Sequence, residues 1–158
     1  MIKLANFFVS LSFAGYIKII PPGTFASFLS IVILFPIVEY KIISLEIFVI
    51  VFIVIFLLSL FFINKFSSRT QSHDSKIIVI DEFLGIYLIL LFYDQIKIIN
   101  PYVTMMLIFI LFRFFDILKI FPANIIDKRL KSAFGVILDD LIAGIYTIII
   151  LYIVNAYF

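Results

Sequence analysis

LEIFVIVFIVIFLLSLFFI, residues Leu45–Ile63, contains one charged side chain, Glu46, in an otherwise almost wholly apolar run. A run of about 20 apolar residues is long enough to cross the hydrocarbon core of a bilayer as a helix. The rest of the chain has a similar composition, because 65% of its 158 residues are hydrophobic and the mean hydropathy is +1.30. Soluble domains are about 45–50% apolar, so the composition predicts a membrane protein.

Several other stretches are apolar enough to form helices, and polar links separate them. The apolar stretches are Thr24 to about Tyr40, Ile77 to about Tyr93, Pro101–Ile120 and Phe134 to about Phe158. The polar links are Asn64–Lys76, Asp94–Asn100 and the basic loop Pro122–Ser132.

The N-terminal stretch Met1–Ile20 has a different pattern. Its apolar residues at helical spacing are Leu4, Phe7, Phe8 and Leu11, with polar residues between them. This spacing predicts an amphipathic helix that lies on the membrane or against the other helices. Pro21-Pro22-Gly23 would end it, and Thr24 would cap the next helix. We therefore predict an all-α, polytopic membrane protein of about four or five apolar helices plus this amphipathic helix, in a single domain over residues 1–158.

Ionisable side chains interrupt the predicted membrane helices. They are Asp81, Glu82, Asp116, Asp139 and Asp140, together with Arg113. Each charge at the centre of a bilayer helix costs roughly 2.5–3.5 kcal/mol on insertion scales. Because one arginine cannot neutralise five acids, the imbalance favours a bound cation or protonated carboxyl groups.

Alternating helix direction places these charges at one membrane face. We call the side on which the segment from Thr24 begins the near side, and the opposite one the far side. Each acidic cluster is then expected on the near side, four to eight residues into its helix. Most basic residues other than Arg113 also fall on the near side, namely Lys3, Lys18, Lys65, Arg69, Lys76, Lys119, Lys128, Arg129 and Lys131. Only Lys41 and Lys97 fall on the far side, so the positive-inside rule makes the near side cytoplasmic.

Clustered carboxylates are typical ligands of a hard cation such as Mg²⁺. We expect Asp81, Glu82, Asp139 and Asp140 as metal ligands, and these four acids with Asp116 as the catalytic carboxylates. Arg113 lies one helical turn before Asp116, and Lys119 one turn after it; both suit a phosphate group. A structural ion-pair network or an ion pathway would use the same residues.

Other residues are weaker candidates. The N–H groups of Gly23 and Thr24 at a helix start are suited to binding phosphate, although a simple turn and N-cap explain them equally well. His73, Asp74 and Asp127 are possible accessory residues in polar loops; the alternative is that they are solvated, with Asp127 in a surface ion pair.

Residue types and motifs that the sequence lacks exclude several classes of site and enzyme. With no cysteine, disulfides, thiolate metal sites and cysteine nucleophiles are excluded. One histidine is too few for a two-histidine phosphatase, and no Walker-type glycine loop is present. The small net charge of +2, with Phe in apolar runs, is not typical of a nucleic-acid binder.

Four groups of residues, in this order and spacing, resemble the phosphatidylglycerophosphatase A family. They are Pro22-Gly23-Thr24-x-x-Ser27, His73-Asp74 followed by Asp81-Glu82-x-x-Gly85, Phe112-Arg113-x-x-Asp116-x-x-Lys119 with Pro122 and Asp127, and Gly135-x-x-x-Asp139-Asp140-x-x-Ala143-Gly144. The resemblance implies Mg²⁺-dependent removal of the terminal phosphate of phosphatidylglycerophosphate, which yields phosphatidylglycerol, at the bacterial inner membrane. It also implies an all-helical fold with an acidic metal site. The alternative is a small ion or proton transport subunit that uses the same carboxylates.

Overall fold

The computed structural model of the chain describes residues 2–17, 19–70, 75–98 and 100–157, without the side chains of residues 2, 69, 70, 127 and 128. These residues form helices and the turns between them. The helices are α1 (Ile2–Val9), α2 (Pro22–Glu39), α3 (Leu45–Thr70), α4 (Ile80–Leu91), α5 (Tyr93–Ile96), α6 (Pro101–Leu118), α7 (Ala123–Arg129) and α8 (Ala133–Tyr157), with a 3₁₀ turn at Ala14–Tyr16.

Four of the described helices are long and apolar enough to cross a membrane: α2, α3, α6 and α8. Apolar side chains remain exposed along α3, including Ile50, Val54, Leu57 and Phe61. A soluble protein would bury such a surface, whereas a bilayer covers it. The prediction of an all-α, polytopic membrane protein is therefore confirmed.

Helix α4 is the centre of the bundle, with α2, α3, α6 and α8 packed around it. Most of its residues are buried, and Tyr87 stacks on Phe48 of α3 at 4.2 Å between ring centroids. The Tyr87 hydroxyl donates to the Phe48 carbonyl at 3.0 Å, so even the polar end of this side chain is satisfied inside the bundle.

Contacts at the two ends show the direction of the helices. On the near side, Gly23 at the start of α2 lies against Glu82 at the start of α4. On the far side, Glu39 at the end of α2 pairs with Lys97, directly after α5. The Asn155 amide of α8 donates to the Gln95 carbonyl on that side. Helices α2, α4–α5 and α8 therefore run from the near side to the far side, as predicted.

The segment Ile77–Tyr93 is shorter as a helix than we predicted. The Val79 N–H donates to the carbonyl of Val9 at 2.9 Å, and α4 begins only at Ile80. Its 12 residues rise about 18 Å, too little to cross a bilayer alone. Asp81 and Glu82 consequently lie in its first turn, and the expectation that they lie four to eight residues inside the helix is wrong.

Other helix boundaries also differ from those that we predicted. The N-terminal helix ends at Val9 because Leu11, Ser12 and Phe13 adopt positive φ angles; Leu4 and Phe7 face outwards, while Ala5 and Val9 are buried. Helix α2 begins at Pro22 with Pro21 as its N-cap, so the prediction that Thr24 caps this helix is wrong. Pro22 can occupy the first helical position because its fixed φ suits a helix start.

On the near side, two segments that we predicted as loops are partly helical. Helix α3 continues through Asn64 to Thr70, since no Gly or Pro interrupts it, and α7 forms within the predicted basic loop.

Candidate active site

Three carboxylates meet on the near side of the bundle. Asp81 and Glu82 come from the first turn of α4, Asp140 comes from α8, and one oxygen of each lies within 4.8 Å of the others. Asp81 Oδ1 and Glu82 Oε2 are buried and have no hydrogen-bond partner. Buried acceptors without donors are costly, and oxygen ligands at this spacing suit a hard divalent cation. The described residues therefore fit a metal such as Mg²⁺.

Two glycines allow the carboxylates to come together, because they let α4 and α8 approach closely. A Cβ atom on Gly85 would lie 2.5 Å from the ring of Phe112 and 3.0 Å from the carbonyl oxygen of Asp140. A Cβ atom on Gly144 would lie 3.0 Å from the carbonyl oxygen of Gly85. Only residues without a side chain fit this crossing, which brings Asp140 to the start of α4.

Arg113 of α6 provides a positive charge beside these acids. Its Nη1 atom forms an ion pair with Asp116 one turn later and lies 4.0 Å from Glu82 Oε1. The Arg113 Nε atom is buried and has no hydrogen-bond acceptor. The guanidinium is thus held by Asp116 while part of its donor capacity stays unused.

The start of α2 closes another side of the site. A Cβ atom on Gly23 would lie 2.0 Å from Glu82 Oε1 and 3.2 Å from Arg113 Nη1. The N–H groups of Gly23 and Thr24 precede the first main-chain bond of the helix, from Phe25 N to Pro21 O at 3.1 Å. The helix start, with the partial positive charge of its N–H groups, therefore lies directly beside the acids and the arginine.

Asp139 and Lys119 form a separate pair. Lys119 Nζ lies 2.8 Å from Asp139 Oδ2, and Lys119 ends α6 in a left-handed conformation. Asp139 is bonded to Lys119 and does not belong to the group of three carboxylates, although it is close enough to Asp81 to act on it electrostatically. The structure thus places Lys119, which we expected at the phosphate, on Asp139, which we expected at the metal.

A model of the phosphatidylglycerophosphatase A family matches residues 7–155 of the chain, which includes every element of the site. The chain belongs to the phosphatidylglycerophosphatase A family. It is 32% identical over 134 residues to a phosphatidylglycerophosphatase A of Haemophilus influenzae, covering 85% of this chain and 78% of the relative. It is 30% identical over 83 residues to the Escherichia coli protein of that name, covering 52% of this chain and 46% of the relative. No solved structure matches the chain.

Membership of the phosphatidylglycerophosphatase A family confirms the prediction of an enzyme, since this is a family of lipid phosphatases. The same finding favours the enzyme over the alternative of a transport subunit. Among the residues on which the resemblance rests, His73 and Asp74 lie outside the described residues, as does the side chain of Asp127. Their assignment as accessory residues stays a prediction.

Sequence reasoning missed two features of this candidate site. One is the direct contact of Gly23 with Glu82, and the other is the pairing of Lys119 with Asp139. The sequence partly indicated the pairing of Lys119, because Lys119 is the first basic residue after Asp116. No local pattern could have shown the first, because these residues are far apart in the sequence.

Proposed function

We propose that this protein hydrolyses the terminal phosphate monoester of phosphatidylglycerophosphate to give phosphatidylglycerol and inorganic phosphate, in a Mg²⁺-dependent reaction. The observation that carries the proposal is the convergence of Asp81, Glu82 and Asp140 beside Arg113. Metal-assisted phosphoryl chemistry uses a cluster of carboxylates next to a guanidinium. The names of the relatives support the choice of lipid.

Asp81, Glu82 and Asp140 would hold the Mg²⁺ ion, with Asp139 close by. When bound, the ion would stabilise the negative charge that builds up on the phosphoryl oxygens. The three carboxyl groups share a largely buried site, where they repel one another when ionised. Neutralisation of this repulsion would contribute to metal affinity.

Arg113 and the start of α2 would hold the phosphate. A guanidinium can donate two parallel hydrogen bonds to phosphate oxygens, and the N–H groups of Gly23 and Thr24 add main-chain donors on the same side. Lys119 would act mainly through Asp139, to which it is bonded. In direct hydrolysis a water molecule attacks phosphorus, one carboxylate among Asp81, Glu82, Asp116, Asp139 and Asp140 accepts a proton from the water, the bond from phosphorus to the glycerol oxygen breaks, and that oxygen takes up a proton to give the alcohol. In the alternative, one of these carboxylates attacks phosphorus, the same bond breaks with protonation of the glycerol oxygen, and water then hydrolyses the acyl phosphate.

We also propose that the reaction takes place at the cytoplasmic face of the bacterial inner membrane. The carboxylates lie at the near-side ends of α4 and α8, and the near side has most of the basic residues. Short loops rich in Lys and Arg stay in the cytoplasm. The phosphate of a lipid lies at headgroup height, so a site at the helix ends can reach it without extracting the acyl chains.

Phosphate release by the purified protein tests this proposal. We expect turnover of phosphatidylglycerophosphate in detergent with Mg²⁺, loss of turnover in EDTA, and recovery when Mg²⁺ is restored. An Asp140→Asn preparation controls for contaminating phosphatases, and Glu46→Gln, an exposed acid on the far side, controls for the loss of a carboxylate. Full turnover in EDTA would reject the metal-dependent reaction, and absence of turnover under all conditions would reject the substrate.

A further inference from the structure

A cavity of about 450 Å³ lies on the far side of the bundle, at the opposite end of α2 and α4 from the carboxylates. Its apolar walls include Ile37, Val38, Ile43, Leu45, Phe48 and Leu90. Ligand sites in proteins are typically clefts of roughly 300–1,000 Å³ with apolar walls and a few polar groups. The cavity has the size and the lining of a binding site, and the proposed phosphatase reaction does not use it.

Two opposite charges also line the cavity. Lys41 Nζ and Asp94 Oδ2 lie 3.4 Å apart, and their side chains are 74% and 65% exposed. An exposed ion pair at this distance contributes little to stability. Each of the two groups can therefore leave its partner and bind a ligand at a small cost in free energy. The nearby Glu39, in contrast, accepts two hydrogen bonds from Lys97, at 2.8 and 2.9 Å, and a third from Tyr93.

The backbone conformation of Lys41 is unusual. Helix α2 ends in a Schellman motif, with Ile42 N donating to Ile37 O at 3.0 Å and Lys41 N to Val38 O at 3.4 Å. This motif places Lys41 in the left-handed region at φ 49°, a position for which glycine is preferred. A lysine there costs about 1 kcal/mol of backbone strain, and such strain is concentrated at functional sites.

We propose that this cavity binds a zwitterionic phospholipid with a primary ammonium group, held by its phosphate on Lys41 and its ammonium on Asp94. The spacing of the two protein charges complements the adjacent opposite charges of such a headgroup. The apolar walls would take the upper part of an acyl chain, at the membrane face where lipid headgroups lie. This choice of occupant rests on charge complementarity, because an anionic lipid would leave Asp94 facing a negative charge.

Native mass spectrometry of delipidated protein in detergent tests the proposal. Dioleoylphosphatidylethanolamine is added beside dioleoylphosphatidylcholine, whose quaternary ammonium cannot donate a hydrogen bond to Asp94. We expect one ethanolamine lipid to be retained, with about tenfold weaker retention of the choline lipid. Phosphatidylglycerol is left out, since it is the product of the proposed reaction and would occupy the other site.

Two variants identify the site. Lys41→Gly is expected to weaken retention about tenfold while the melting temperature of the lipid-free protein stays the same or rises, because glycine relieves the backbone strain. Asp94→Asn is expected to remove the preference for ethanolamine over choline, whereas Glu46→Gln, the same type of change on the same membrane face, keeps it. Equal retention of both lipids by the unaltered protein, or unchanged retention in Lys41→Gly and Asp94→Asn, would overturn the proposal. Phosphatase activity is measured separately and does not enter either result.

Discussion

Asp139 and Asp140 are neighbours in the sequence but face different partners. Asp140 is 4% exposed and belongs to the group with Asp81 and Glu82, whereas Asp139 is bonded to Lys119. An acid paired with an ammonium is partly neutralised, so it contributes less to the affinity for a cation. The adjacent aspartates of the family motif therefore have separate roles in the proposed mechanism.

This separation predicts unequal effects of the two substitutions. Asp140→Asn is expected to lower turnover at least about 100-fold, because a proposed metal ligand is lost. Asp139→Asn is expected to lower it less, and the loss should be non-additive with Lys119→Met in the double variant, because the two residues form one pair. Phosphate release at saturating Mg²⁺ measures turnover, and a Mn²⁺ titration measures affinity. Additive effects of Asp139→Asn and Lys119→Met would contradict the pairing.

Gly23 gives a second prediction for a single residue. In Gly23→Ala the new methyl group would meet Glu82 Oε1 at 2.0 Å, so the Glu82 carboxylate must rotate away from its present position. The atoms closest to the new methyl group belong to the long side chains of Glu82 and Arg113, which can move, so the fold should persist. We expect about a 10–100-fold loss of kcat/KM, since small displacements of catalytic groups have effects of this size.

The control for Gly23→Ala is Val32→Ala, further along the same helix, where the side chain is 48% exposed. This variant should leave kcat/KM unchanged, because Val32 lies away from the carboxylates. Thermal unfolding in detergent shows whether each variant is folded. An unchanged kcat/KM in a folded Gly23→Ala protein would show that the contact with Glu82 has no role in catalysis.

At the scale of the elements, the crossing of α4 and α8 decides where the carboxylates lie. Phe112 of α6 is fully buried against this crossing, and a Cβ atom on Gly85 would overlap its ring. The three helices are therefore packed so closely that an added methyl group must separate them. Separation of α4 from α8 would move Asp140 away from Asp81 and Glu82.

Gly85→Ala should consequently affect both stability and metal binding. We expect a loss of about 1–3 kcal/mol in the free energy of unfolding, typical of overpacking, and weaker Mn²⁺ binding. Gly85→Ala combined with Phe112→Leu should recover part of the Mn²⁺ affinity, because the smaller side chain makes room for the methyl group. If the double variant binds Mn²⁺ no better than Gly85→Ala alone, the packing explanation is wrong.

At the scale of the whole molecule, the arrangement of the helices predicts a topology. Ser68, near the end of α3, lies on the near side, and Tyr40, directly after α2, lies on the far side and is 72% exposed. The chain has no cysteine, so Ser68→Cys and Tyr40→Cys are each single-cysteine proteins. With an impermeant maleimide on intact spheroplasts, we expect labelling at position 40 and none at position 68 until the membrane is permeabilised. The reverse pattern would place the proposed site outside the cytoplasm.

Much of the membrane architecture follows from the sequence. The hydropathy of a segment depends only on the residues within it. The long apolar helices can therefore be recognised without any tertiary contact, as in Leu45–Ile63 within α3. Helix direction then alternates, which was enough to predict that Asp81, Arg113 and Asp140 meet at one end. Boundaries were predicted less well: α4 begins only after Val79, whose N–H bonds to the distant carbonyl of Val9, a contact that no local pattern specifies.

The details of the site depend on tertiary structure. Residue types and spacing indicated five acids and an arginine, but only the packing of α4 against α8 separates Asp140 from Asp139. Likewise, only the packing of α2 against α4 brings Gly23 to Glu82. The cavity of about 450 Å³ also depends on tertiary structure, because it forms between the far-side ends of these helices. Apolar helices are determined by the composition of each segment, because transfer into lipid depends on the segment's own side chains. Which carboxylates come together is decided by contacts of a few ångströms between segments that are far apart in the chain, and no local pattern specifies such contacts.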